Sequence, residues 1–136
     1  MGEDDFRIGL GVRRAVLGDE HVERAIGGAD DFTRPFQEFV TEYCWGKVWS
    51  RPGLSRRDRS LLNIAMLVAL NRPHELRLHI HGALRNGCSA TEILETLLQT
   101  AVYCGVPAAA GGFEVASAVL AEAQEKASLS EKDRGA

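Results

Sequence analysis

No stretch of this chain alternates apolar and polar residues with the two-residue period of a half-buried strand. Apolar spacings of three, four and seven recur instead from the first third to the last. A chain patterned this way can bury its apolar surface only by packing helices on helices. The punctuation marks where the helices begin and end. Asp19 can cap a short helix through Ile26, closed by Gly27 and Gly28. Thr33 can cap the next, with Pro35 in its first turn, and Phe36, Phe39, Val40, Tyr43 and Cys44 predict one buried stripe. Arg51-Pro52-Gly53 is a breaker, after which Ser55 and Asp58 restart a helix. From Leu61 to Leu70 that helix is apolar around its whole circumference except at Asn63, which predicts a central helix with neighbours on several sides. Pro73 opens another, which stops at Gly87. Ser89 and Glu92 form a capping box, the helix behind them runs to Gly105, and Pro107 begins the last.

The expectation is therefore an all-α bundle of six or seven helices in one domain spanning 1–136, with flexible tails at 1–8 and 128–136. Thr96 to Phe113 carries no charge and is as long as a membrane span. Gly105, Pro107, Gly111 and Gly112 interrupt it, which predicts two buried helices meeting at a turn and no membrane partner. The small residues Ala108 to Gly112 predict a tight helix crossing, within the subunit or between subunits, because two glycines inside a helix otherwise cost about 1 kcal/mol each.

Sixteen basic and nineteen acidic side chains give a net charge of −3 without a basic block, which argues against a nucleic-acid partner. Three widely spaced cysteines fit neither a disulfide framework nor a zinc site and point to free thiols in a reducing cytoplasm. The acidic N-terminus lacks the apolar core of a signal peptide. No metal cage can be assembled from the four histidines.

What remains for chemistry is the segment from His74 to His81. Glu75 and His79 lie about 40° apart on a helix surface, at the edge of the stripe Leu76, Ile80 and Ala83, and Asn86 falls between them in angle. His79 and His81 are about 200° apart and cannot share one pocket on a regular helix. Two readings stand for Glu75 and His79: an i, i+4 surface pair, or a pocket imidazole whose pKa the carboxylate raises toward neutrality or above. Arg59 and Asn63 share one face of the central helix. Arg59 is either a solvated first-turn residue or a carboxylate fork, and Asn63 either a satisfied core amide or a pocket donor. Glu42, Tyr43 and Trp45 either roof a small-molecule site or pack on the core with Trp49.

In order along the chain, Trp45-Gly46-Lys47-Val48-Trp49-Ser50-Arg51-Pro52-Gly53-Leu54, Arg59-Ser60-Leu61-Leu62, Glu75-Leu76-Arg77-Leu78-His79, Asn86-Gly87 and Tyr103-Cys104-Gly105-Val106-Pro107-Ala108-Ala109 resemble the carboxymuconolactone decarboxylase family. The resemblance runs from about Gly9 to Leu120. It implies the AhpD-like helical fold, a homo-oligomer built as a trimer of dimers, and a cytoplasmic, cofactor-free decarboxylation of a small dicarboxylate lactone in protocatechuate degradation. Alternatives are a related enzyme on another lactone or keto acid, and a helical oligomer without catalysis. Alkylhydroperoxidases of the wider superfamily carry a CxxC pair whose positions align with Arg72 and Glu75, so thiol peroxidase chemistry is not expected. Arginine is usual in the family where His81 stands, and an asparagine and a histidine near Ala110 and Glu114. The catalytic residues expected on these grounds are His79, Glu75 and Glu42. The expected substrate contacts are Arg59, Asn63, Trp45, Tyr43, Arg72 and His81.

Overall fold

The computed structural model describes residues 2–135; Met1 and Ala136, the outermost residues of the two expected tails, lie outside the described residues. The described chain is helical throughout: α1 (Gly2–Leu17), α2 (Asp19–Gly27), α3 (Arg34–Phe39), a π-helical segment π1 (Val40–Val48), α4 (Arg56–Ala69), α5 (Pro73–Arg85), α6 (Ala90–Cys104) and α7 (Val106–Gly135). Ser55 accepts from the Asp58 N–H, and Ser89 and Glu92 make the full capping box. Both cap residues sit where their oxygens satisfy otherwise unpaired first-turn donors. Gly87 and Gly105 end α5 and α6 with φ of 90° and 101°, a region that side chains with a Cβ rarely enter.

Two cores divide the molecule. Ile64, Val68, Leu76, Ile80, Ala83, Ile93, Leu97, Ala116 and Val119 join α4 through α7 in an aliphatic cluster. Val12, Val16, Leu17, Val22, Trp45 and Trp49 join α1, α2 and π1 in a second one. Glycine sets the geometry of the second. A Cβ on Gly9 would collide with the Thr41 carbonyl oxygen and meet the Gly46 nitrogen at 2.8 Å, and one on Gly46 would collide with the Asp5 carbonyl oxygen. α1 therefore lies backbone to backbone on π1. The expected tail before Gly9 is instead the first part of α1, and Asp5 pairs with Lys47 of π1 across that crossing at 3.5 Å.

Four sequence expectations change. The stripe predicted for Phe36 to Cys44 faces outward: Phe36, Phe39 and Tyr43 are exposed, while Thr41, Trp45 and Gly46 are buried. Close approach of α1 demands small residues on the inner face, and the wider π turn rotates the indoles inward. The central helix buries Ser60, Ile64 and Val68 but leaves Leu62, Met66 and Leu70 exposed within one chain. The uncharged run is two helices meeting at Gly105, yet Val102, Tyr103 and Val106 around that turn are 70–80% exposed. The segment from Ser128 continues α7 as exposed helix to Gly135. By length and composition α7 is the one helix among the described residues that could cross a membrane. The tight crossing expected at Ala108 to Gly112 occurs at Gly112, where a Cβ would meet Leu97 and Val68 side chains at 2.9 Å; Gly111 faces open space.

Candidate active site

His79 stands on α5, three residues before the aliphatic Gly82–Ala83 wall, with its imidazole turned toward the second core. Trp45 lies nearly parallel to it, with ring centroids 6.2 Å apart and an interplanar angle of 6°. Trp49 is 6.4 Å away, and the two indoles stack on each other at 4.8 Å. The polar edge is completed by Asn63 of α4, whose Nδ2 is 3.4 Å from His79 Nδ1. This contact orients the ring if Nδ1 accepts, which leaves the proton on Nε2.

Burial pulls the His79 pKa down from 6.5 to about 4; the nearby His21 imidazole lowers it further, and the Glu75 carboxylate pulls the other way. The expectation that Glu75 raises this pKa toward neutrality is thus overturned. Glu75 is exposed at the solvent edge, whereas the ring sits against two indoles, so desolvation outweighs one screened charge. The imidazole is neutral at pH 7.

Arg59 lies one turn before Asn63 on the same face of α4. Its Nη2 donates to the Arg51 carbonyl at 3.3 Å, and its Nε is buried without a partner. Asn63 and Trp45 are thus brought to His79, with Glu75 at the rim, while Arg59 lies one turn along α4 from Asn63 and bonds to the Arg51 carbonyl. Four other expected residues lie elsewhere. Glu42 has its carboxylate beside Gly2, at the positive end of α1, where an acid is favoured. Tyr43 is exposed, stacked on Phe39 at 5.5 Å. Arg72, exposed at the start of α5, faces Ala108 and Gly111 of α7. His81 lies on the opposite side of α5, where its Nε2 is 3.6 Å from a Glu122 oxygen that also accepts from Arg77 at 2.7 Å. A 200° rotation between positions 79 and 81 leaves no other outcome on a regular helix. Asn86 serves structure: its amide donates to the buried Ser60 hydroxyl at 2.8 Å and so ties the end of α5 to α4.

Sequence reasoning missed Arg13, His21 and the orienting position of Trp49. Arg13 is 5% exposed and donates through Nη1 to Gln37 Oε1 at 3.0 Å and to Thr41 Oγ1 at 3.2 Å. Burial lowers its pKa. A signal was present: Arg13 follows Gly9 and precedes Leu17 by four residues each, on the face that α1 buries.

Residues 34–118 match the carboxymuconolactone decarboxylase family, which is well over half of the chain. The chain belongs to that family. It is 42% identical over 118 residues to the 4-carboxymuconolactone decarboxylase of Acinetobacter baylyi, covering 87% of this chain and 88% of the relative. It is 50% identical over 102 residues to the nitrosuccinic acid decarboxylase npaB of Metarhizium robertsii, covering 75% and 71%. A 4-carboxymuconolactone decarboxylase sequence of Pseudomonas putida matches over 41 residues at 50% identity, 30% of this chain and 85% of the relative. The family match begins at the first residue of α3, so it contains π1, Asn63, Glu75 and His79, while Arg13 and His21 precede it.

Proposed function

We propose that this carboxy-lyase decarboxylates 4-carboxymuconolactone at His79. The observation that carries the reading is a neutral imidazole held between buried indoles and the Asn63 amide, in a chain of this family. The substrate's lactone carbonyl can take up the electron pair that the departing CO₂ leaves behind, so the reaction needs no external electron sink. The pair moves through the ring double bond onto the carbonyl oxygen, CO₂ leaves, and a proton adds to the α carbon. His79, neutral and with Nδ1 facing Asn63, offers its Nε2 proton as a hydrogen bond to the developing oxyanion. A donor that begins neutral gains strength as the oxygen gains charge, which favours the transition state over bound substrate. Glu75, at the solvent edge one turn away, relays the proton to carbon. The Trp45–Trp49 face removes water from the departing carboxylate without pairing it to a cation. Arg59, one turn along α4 from Asn63, attracts the retained carboxylate.

By this reading the protein works in the cytoplasm, in the protocatechuate branch of aromatic degradation, as a homo-oligomer assembled as a trimer of dimers. The exposed Leu62, Met66, Val102, Tyr103 and Val106 support burial against further copies. A second substrate, nitrosuccinic acid, is favoured by the 50% identity to a decarboxylase of that acid. Incubation with freshly prepared 4-carboxymuconolactone and, separately, with nitrosuccinic acid, following CO₂ release, decides between them. Absence of CO₂ from both rejects the decarboxylase reading.

A further inference from the structure

Arg13 is a buried cation that no acidic side chain neutralises. Among the described residues no carboxylate lies within ion-pair distance of it, and both its protein partners, Gln37 and Thr41, are neutral. Both of those bonds use Nη1. The Nε atom is buried and unpartnered, and Nη2 makes no hydrogen bond among the described residues. Nε and Nη2 form the side-on edge of a guanidinium, the edge that grips a carboxylate with two parallel N–H···O bonds. The adjacent Cys44 does not supply the missing charge, since burial pushes its thiol up and outweighs the pull of Arg13, which leaves it protonated at pH 7.

Arg13 and His79 both contact π1. Thr41, which holds the guanidinium, and Trp45, which stacks on His79, are both buried on the inner side of π1, one turn or roughly 5 Å apart. That is the reach of a short acid arm. A buried charge left unpaired is costly to a fold, and it persists without penalty to function where a ligand completes it. The cover on this side is thin: Gln37 comes from α3, which buries no residue of its own.

We propose that Arg13 is a carboxylate-binding residue, seating the retained carboxylate of a small dicarboxylic acid on its Nε/Nη2 edge while the reacting end lies against Trp45 and His79. Arg59 then draws the acid in, and Arg13 holds it. The proposal rests on the acid-substrate reading above and adds where the acid is seated.

The probe is succinate, the simplest acid with two carboxylates a short arm apart, with monomethyl succinate as the singly charged control. In the wild-type protein, titration with succinate is expected to shift the Arg13 Nε–H resonance downfield, assigned by its loss in Arg13→Lys. Arg13→Met is expected to fold with an unchanged or higher melting temperature, because it removes an unpaired buried charge. Its succinate affinity is expected to fall about 10- to 100-fold, with discrimination against the monoester lost. If Arg13→Met does not fold, Arg13→Lys, which keeps the charge and loses the fork, is expected to show the same loss of discrimination. An unmoved Arg13 resonance, or a shift confined to Arg59, overturns the proposal, as does wild-type discrimination in the folded variants. Lactone turnover with an unresponsive Arg13 removes this inference alone; a responsive Arg13 without CO₂ release removes the reaction alone.

Discussion

The two cores of this molecule are built on different rules. The α4–α7 half is aliphatic, capped at regular positions and closed by side chains that interlock at van der Waals distance. The α1–π1 half places bare backbone against backbone at Gly9 and Gly46, winds one turn too wide, and buries an indole pair and a guanidinium. Every group proposed to touch substrate belongs to the second half or faces it across α4 and α5. The difference teaches that a regular helix interface closes on interlocking aliphatic side chains, whereas a π segment displaces side chains from the regular lattice and brings indoles and a guanidinium to where chemistry can use them.

The largest effect that can break this contrast concerns His79 and His81, on opposite faces of α5. His79→Ala is expected to lower the decarboxylation kcat about 100- to 1000-fold, or roughly 3–4 kcal/mol of barrier, whereas His81→Ala on the far face changes it less than about threefold. Equal losses, read by CO₂ release at saturating substrate, would erase the distinction between the faces. Next comes the backbone crossing. Gly9→Ala drives a Cβ into the Thr41 carbonyl oxygen and is expected to cost about 2–4 kcal/mol in urea unfolding.

Acid should act on the same half. The His79 pKa is lowered in the folded state, so the unfolded chain binds its proton first as pH falls. The associated stability is complete above about pH 6.5 and is lost progressively down to about pH 4, in total about 3 kcal/mol, which unfolding free energies of wild type and His79→Gln across that window will show as a flattened slope in the variant. The smallest effect belongs to the regular half: Gly111→Ala, in open space inside α7, is expected to stabilise a chain assayed as a monomer by about 0.5–1 kcal/mol. A loss instead would show that position 111 is a close contact between copies.

Much of the first half was legible in the sequence. Ser55, Pro73, the Ser89–Glu92 box and Gly105 mark the helices correctly because capping and left-handed glycines are local chemistry, settled within four residues. So is the angular separation of His79 from His81. The face that π1 buries was not legible, because Phe36, Phe39 and Tyr43 make the better apolar stripe and only the approach of α1 turns them outward. The same outward turn leaves Tyr43 stacked on Phe39, away from His79.

By itself, then, the sequence determined that this chain is helical, where α4, α5 and α6 start and stop, and which family it resembles. Tertiary structure alone decided that His79 is neutral, that Glu75 stays at the rim, and that Arg13 is buried without an acid beside it. Helix formation reports interactions within one turn, whereas a side chain's charge state depends on how much water its distant neighbours remove, and those neighbours meet only when the chain has packed.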